Sequence, residues 1–240
     1  MASSLLHFGV TVRSAKYGLH LNRDTYALIN PRNTFYKRFG GHYKFPSLEA
    51  KNAYADEDGT FYTTEWCEEY RSFCLKNFDL TMRYLAALDY NEFESELSSF
   101  LQKYSDFKAV TDLTDYTNIP GYYVMVLDNY SLVYIGTTTT GIRKRIQEHW
   151  HNTVGFDRLL LPLYNAETSI LSIDSFRALD TTRIFAFPSS PPHDLENDFI
   201  NFFSRKFISN RIGGGKLAPG SSGFLQAIAS IKTKDLEGIK

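Results

Sequence analysis

Two tyrosines stand eleven residues apart in GYYVMVLDNYSLVYIG, residues 121 to 136: Tyr123 near its start and Tyr134 near its end. Beyond them come Arg145 and His149, four residues apart, then Glu196 and Asn210. Phenols and an imidazole carry protons, a guanidinium braces an anion, and a carboxylate takes a proton or a cation. Such a set acts together only if the fold gathers it. The stretch itself reads as a hairpin, two apolar strands around a polar turn. With Asp128-Asn129 as a two-residue loop, Leu127 faces Tyr130 and Tyr123 lies directly across from Tyr134. Opposed residues share a sheet face, with Cβ atoms roughly 4.5–5.5 Å apart. An aromatic pair that only stabilises the sheet would show the same spacing. Next comes a basic helix, GIRKRIQEHWH, for which Thr140 is the expected cap. Ile142 and Ile146 mark its buried side, and the i, i+4 relation puts Arg145 and His149 on one face.

The elements around this hairpin follow from periodicity and turn signals. Residues up to the forties are irregular, with turns at Asn30-Pro31-Arg32-Asn33 and Gly40-Gly41, so loops and short strands are expected there. From a Thr63-Thr64 cap, Trp66, Tyr70, Phe73 and Phe78 follow helical spacing. A second helix is expected over Leu80 to Leu88, and a third, capped by Asn91, carries Phe93, Leu97, Phe100, Leu101 and Tyr104. Residues 105–120 lose periodicity and end on Pro120, as a domain boundary would. After the basic helix, 153–180 is hard to read. A strand follows at Arg183–Phe187, then a helix capped by Asp194 that buries Leu195, Phe199, Phe202 and Phe203 and ends at Asn210. A triple glycine, 213–215, precedes a last helix from about Ser221 to Ile231. Strands with covering helices in mixed order predict an α/β or α+β unit.

Composition narrows the class. The 240 residues are 43% hydrophobic and 22% charged, with no low-complexity tract, enough chain to bury a real core. The 16 Tyr and 19 Phe predict cores built on rings. No apolar run reaches the roughly 18–20 residues of a membrane span, and the start MASSLLHFGV lacks the pattern of a signal peptide. Cys67 and Cys74 lie seven apart on one helix face, which predicts a reduced buried pair and a cytoplasmic chain without a zinc module. Net charge is −1, but it is unevenly spread. Residues 12–44 hold seven Lys/Arg against Asp24, while 45–100 hold twelve Asp/Glu against four Lys/Arg. Either a phosphate-facing surface backed by an acidic one, or two faces that attract each other, fits this asymmetry.

Taken in order, these residues resemble the GIY-YIG nucleases. The signature stands as Gly121-Tyr122-Tyr123, Tyr134-Ile135-Gly136, Arg145 and His149 in RKRIQEH, Glu196 in DLENDFI and Asn210 in FISNRIGGG. The resemblance covers residues 120 to about 216. Tyr122 replaces the family's usual aliphatic residue and points to the other sheet face, the 153–182 segment is long, and Arg143 competes with Arg145 for the arginine position. The resemblance implies a small central antiparallel three-stranded sheet flanked by helices in 119–216. Residues 1–110 are then a mainly helical region for DNA or partner binding, and 217–240 a C-terminal helix and tail. It further implies hydrolysis of phosphodiesters at Tyr123, Tyr134, Arg145, His149, Glu196 and Asn210.

In that reading Glu196 holds Mg²⁺ or Mn²⁺, Arg145 braces the scissile phosphate, and Asn210 fixes geometry. The general base is one of Tyr123, Tyr134 and His149. Arg143, Lys144, Arg205, Lys206, Arg211 and Lys216 are the expected phosphate contacts. Two cysteines build neither a zinc finger nor a RING module, which counts against junction resolvers and many homing enzymes. A stand-alone restriction or phage-defence endonuclease acting on DNA, as a homodimer if it cuts both strands, is the expectation. The alternatives are a toxin or effector nuclease acting on RNA or cellular DNA, with a protein partner on residues 1–110, and a binding module that kept the fold without catalysis.

Overall fold

The computed structural model describes residues 4–13, 17–29, 62–162, 165–190, 195–212 and 231–237. Its centre is strand β4, Gly121–Leu127, every residue of which is buried. β4 pairs antiparallel with β5, Leu132–Thr138, on one side and with β6, Arg183–Pro188, on the other. A two-residue strand β3, Lys108–Ala109, pairs with β6, so the sheet has four strands in the order β3-β6-β4-β5. The expected three-stranded sheet is corrected by this addition. Residues 105–120 carry no alternation to betray a strand, and the pairing is supplied by β6 rather than by local pattern. A separate hairpin, β1 (Ser4–His7) with β2 (Val10–Arg13), precedes a one-turn helix α1, Arg23–Tyr26.

Helices cover both faces. α2, Thr64–Ala86, is one 23-residue helix in place of the two expected; nothing between Phe78 and Thr81 breaks it. Thr63 caps it, accepting from the Trp66 N–H at 3.2 Å. α3, Tyr90–Lys103, is capped by Asp89 and not by Asn91, because the Asp89 carboxylate accepts from Asn91 and Glu92 N–H at 2.8 and 3.1 Å. α3 lays Phe93, Leu97 and Phe100 against Tyr122, Val124, Val126, Val133 and Ile135 on one sheet face, together with Phe199, Phe203 and Phe207. The opposite face, with Tyr123, Met125 and Leu127, packs on α4 (Ile142–His151), α2 and the N-terminal hairpin. The aperiodic 105–120 stretch therefore runs between elements that share one core.

The hairpin register differs from expectation. Residues 128–131 form the connection: a turn over Asp128–Tyr130 and then Ser131 with φ 50°. Leu127 pairs with Leu132, Tyr123 with Gly136 and Tyr134 with Met125. A two-residue type I′ loop would need positive φ at both Asp128 and Asn129. Asp128 is instead gripped from the start of β6 and the residue before it: it accepts from the Thr182 hydroxyl at 2.7 Å and from Arg183 Nε at 3.0 Å. The shift is two residues, and side chains alternate with period two, so both tyrosines keep the same face.

Candidate active site

Tyr123 sits on β4 with 0% exposure, and the room for its ring is made by Gly136 across the ladder. A Cβ on Gly136 would lie 2.3 Å from the Tyr123 hydroxyl. Gly121 is constrained differently: its φ of +149° and a Phe187 carbonyl 2.3 Å from any Cβ admit only glycine. The last glycine of the second triplet thus makes space for the tyrosine of the first.

Around Tyr123 the expected groups gather. Its hydroxyl lies 2.8 Å from His149 Nε2. Burial raises the phenol well above its ordinary range, so it keeps its proton. Tyr134 packs beside both, its ring centroid 6.3 Å from that of Tyr123 and 4.9 Å from the imidazole. Tyr134 is half-buried; burial raises its phenol too, and the positive charge of Arg145 works against the rise. Arg145 acts on both phenols and donates to Glu148 at 3.1 Å. Arg143 turns away to donate to the Thr117 hydroxyl at 3.0 Å, which leaves Arg145 as the arginine of the cluster.

His149 and Arg145 come from α4, whose apolar face is set by Ile142, Ile146 and Trp150. Thr140 does not cap it. Gly141 holds the cap position, and the Thr138 hydroxyl accepts from the N–H of Thr140 and Gly141 at 3.2 and 3.4 Å. On its far side, His149 Nδ1 lies 2.6 Å from Asp174 Oδ1. Asp174 went unnoticed in the sequence because 153–180 is built of loops and single turns. Its one local signal is Ser172, whose hydroxyl accepts from the Asp174 N–H at 3.3 Å and presents the carboxylate from a tight turn.

Glu196 opens α5, Glu196–Phe202, which packs on the opposite sheet face through Phe199 and Ile200. Its charge nevertheless acts on Tyr123 and Tyr134, and Arg145 acts on it. Burial raises the Glu196 carboxyl, with Arg145 opposing. Among the described residues its carboxylate has no hydrogen bond or ion pair. A half-buried carboxylate without donors suits a hard divalent cation. Among the described residues no group of three or more His, Cys, Asp or Glu surrounds a cation position. A lone carboxylate of this kind could hold only an ion that keeps most of its waters, as Mg²⁺ does.

α5 is shorter than expected and does not run on to Asn210, and Leu195, predicted buried, is 38% exposed. Asp194 lies outside the described residues. Tyr122, on the far face as expected, has a task of its own: its hydroxyl accepts from the Leu195 N–H at 3.3 Å, just ahead of Glu196.

The remaining expected residues do not join the cluster. Asn210 is buried beside β5, where its amide accepts from Ile135 N–H at 3.0 Å and donates to Ile135 C=O at 2.7 Å. It fixes the backbone next to Tyr134 rather than facing the phenols. Arg211, expected on phosphate, donates to the carbonyls of Ile170 at 3.0 Å and Arg158 at 2.9 Å and to that of Leu159. Those bonds tie the 158–170 loop and leave the guanidinium little to offer a ligand. Lys206 pairs with Glu92 at 2.6 Å, Lys144 and Arg205 are exposed, and Lys216 lies outside the described residues. No family model, no curated protein and no solved structure matches the chain.

Proposed function

We propose that this chain is a metal-dependent endonuclease that hydrolyses DNA phosphodiester bonds, of restriction or phage-defence type. The observation that carries the reading is convergence: Tyr123, Tyr134 and His149 touch one another, while Arg145 and Glu196 act on both phenols. Their order along the chain is also that of the GIY-YIG nucleases.

Each side chain has a task in that reaction. Arg145, permanently charged and part-exposed, braces the non-bridging oxygens of the scissile phosphate. Tyr134 is the less buried of the two phenols and meets the attacking water, whereas Tyr123 is wholly buried. The water's proton enters through the phenol pair, and the Tyr123 proton passes to His149 Nε2 along their 2.8 Å contact. The water oxygen bonds to phosphorus, the bond to the 3′ oxygen breaks, and that oxygen takes a proton from solvent. Glu196 holds the cation, which when bound supplies positive charge at the phosphate and the leaving oxygen.

The test is incubation of the full chain with plasmid, linear duplex and RNA, with and without Mg²⁺. Discrete DNA bands that need Mg²⁺ are expected. Smearing of RNA or of all DNA points to a toxin or effector nuclease instead. No cleavage of any substrate points to a binding module. Glu196→Ala is expected to abolish cleavage while DNA still binds in a gel-shift assay, and Tyr123→Phe to lower the rate at least ~100-fold with the fold intact. Wild-type rates in either variant would remove that residue from the mechanism.

A further inference from the structure

Asp174 has no place in the arrangement the sequence motif describes, yet it makes one of the short polar contacts of the cluster. Its Oδ1 stands 2.6 Å from His149 Nδ1, and the imidazole between it and Tyr123 is almost fully buried. We propose that Asp174 is a positioning residue that fixes the tautomer of His149, so that the imidazole presents a bare Nε2 to Tyr123. The proposal rests on the nuclease reading for its consequence but on geometry for its content.

An imidazole has two ring nitrogens, and in the neutral form only one carries hydrogen. A carboxylate accepts and does not donate, so the proton between His149 and Asp174 belongs to Nδ1. Nε2 is then free to accept from the Tyr123 hydroxyl, and a proton leaving Tyr123 has somewhere to go. With the other tautomer, Nε2 would carry hydrogen and no proton could move from the phenol to the ring. When the phenol does give up its proton, the ring becomes an imidazolium, and the adjacent Asp174 carboxylate stabilises it. The proton count balances: one leaves Tyr123, one arrives at Nε2, and Nδ1–H stays where it was.

The local structure holds Asp174 for this. The turn Ile173–Ser175 is closed by Ser175 N–H to Ser172 C=O at 2.9 Å and Phe176 N–H to Ile173 C=O at 3.1 Å. Ile173 and Phe176 are buried on either side. The carboxylate is thus carried on a short rigid turn anchored by two core side chains. About a third of its side chain remains exposed. The resulting order, phenol to imidazole to carboxylate, supports a general base by orienting the group that takes its proton.

Two readouts on the full chain test the assignment, one of them blind to catalysis. In long-range ¹H–¹⁵N spectra, with the His149 signals identified by their loss in His149→Gln, the wild type is expected to show the Nδ1–H tautomer. Asp174→Asn is expected to lose that preference, because an amide can turn its NH₂ toward Nδ1 and drive hydrogen to Nε2. In Mg²⁺-dependent plasmid cleavage, Asp174→Asn is expected to lower kcat by at least ~100-fold with KM unchanged, the scale of effect seen when a supporting carboxylate is neutralised. Asp174→Glu, which restores the acceptor, is expected to recover part of the rate. An Nε2–H tautomer in the wild type overturns the proposal, as does an unchanged tautomer or an unchanged kcat in Asp174→Asn. Failure of the wild type to cleave any nucleic acid overturns the nuclease reading alone, since the tautomer spectra still decide what Asp174 does to His149.

Discussion

Gly136 has no side chain, and the Tyr123 hydroxyl and ring occupy the space a methyl would fill. Gly136→Ala forces the phenol off His149 or pushes the strands apart, an overpacking cost of about 1–3 kcal/mol. The expected outcome is a lowered melting temperature together with a loss of cleavage at least ~100-fold, larger than the stability change alone would give; thermal unfolding and plasmid cleavage measured in parallel check it. The residues legible in the sequence were those whose chemistry and spacing speak for themselves: two phenols on one face of a hairpin, and an arginine and histidine one turn apart. What stayed hidden were bonds to backbone and partners from loops. Asn210 and Arg211 spend their polar groups on main-chain atoms, which no spacing announces. Asp174 comes from an aperiodic segment and is invisible until the turn that carries it is known.

Among the elements, β4 and β5 show how a wrong register can leave the right face. The connection is four residues and not two, but parity is kept, so the phenols remain neighbours, diagonal rather than opposed. α4 was legible because its apolar stripe is regular. Its cap was not, since Thr138 reaches forward from the strand to do the work expected of Thr140. α5 raises a different point. It packs on the far face, and the Tyr122 hydroxyl holds the backbone at Leu195, immediately before Glu196. Tyr122→Phe removes the bond to Leu195, worth about 0.5–1.5 kcal/mol, and leaves the ring packed on Phe187 and Phe199. The expected result is a higher Mg²⁺ concentration for half-maximal cleavage with little change in the maximal rate, read from a metal titration.

For the whole molecule, part of the acidic segment's charge is paired internally. Acidic residues of α2 and α3 take basic partners from elsewhere: Asp79 pairs with Arg23, Glu94 with Arg183 and Glu92 with Lys206. Of these pairs only Arg23–Asp79 joins the basic 12–44 segment to the acidic 45–100 segment, and Lys206 is engaged in the fold. Burial also stores a pH dependence. It pushes the Cys74 thiol up to about 12 and raises the phenols of Tyr26, Tyr70 and Tyr123. These groups stay protonated in the folded chain where the unfolded chain would release their protons. Their contribution is whole below the unfolded values, roughly 8.5 for a thiol and 10 for a phenol, and is lost as pH climbs beyond them. Lys234, which burial lowers to about 7, has the opposite sign, and its effect is complete by roughly pH 10.5. Urea midpoints are therefore expected to fall between about pH 10.5 and 12, and the thiols of the folded chain to resist alkylation at pH 8.

The four-stranded sheet also has consequences for how copies of the chain can meet. On its β5 margin, Ser209 and Asn210 already satisfy the outward carbonyl of Val133 and both backbone groups of Ile135, and on the other margin the short β3 covers Phe185 and Ala186 of β6. At those positions the edge is already taken, which works against edge-to-edge stacking of a ring-rich chain. A second copy lengthening the ladder at Val133 and Ile135 would first have to displace Ser209 and Asn210.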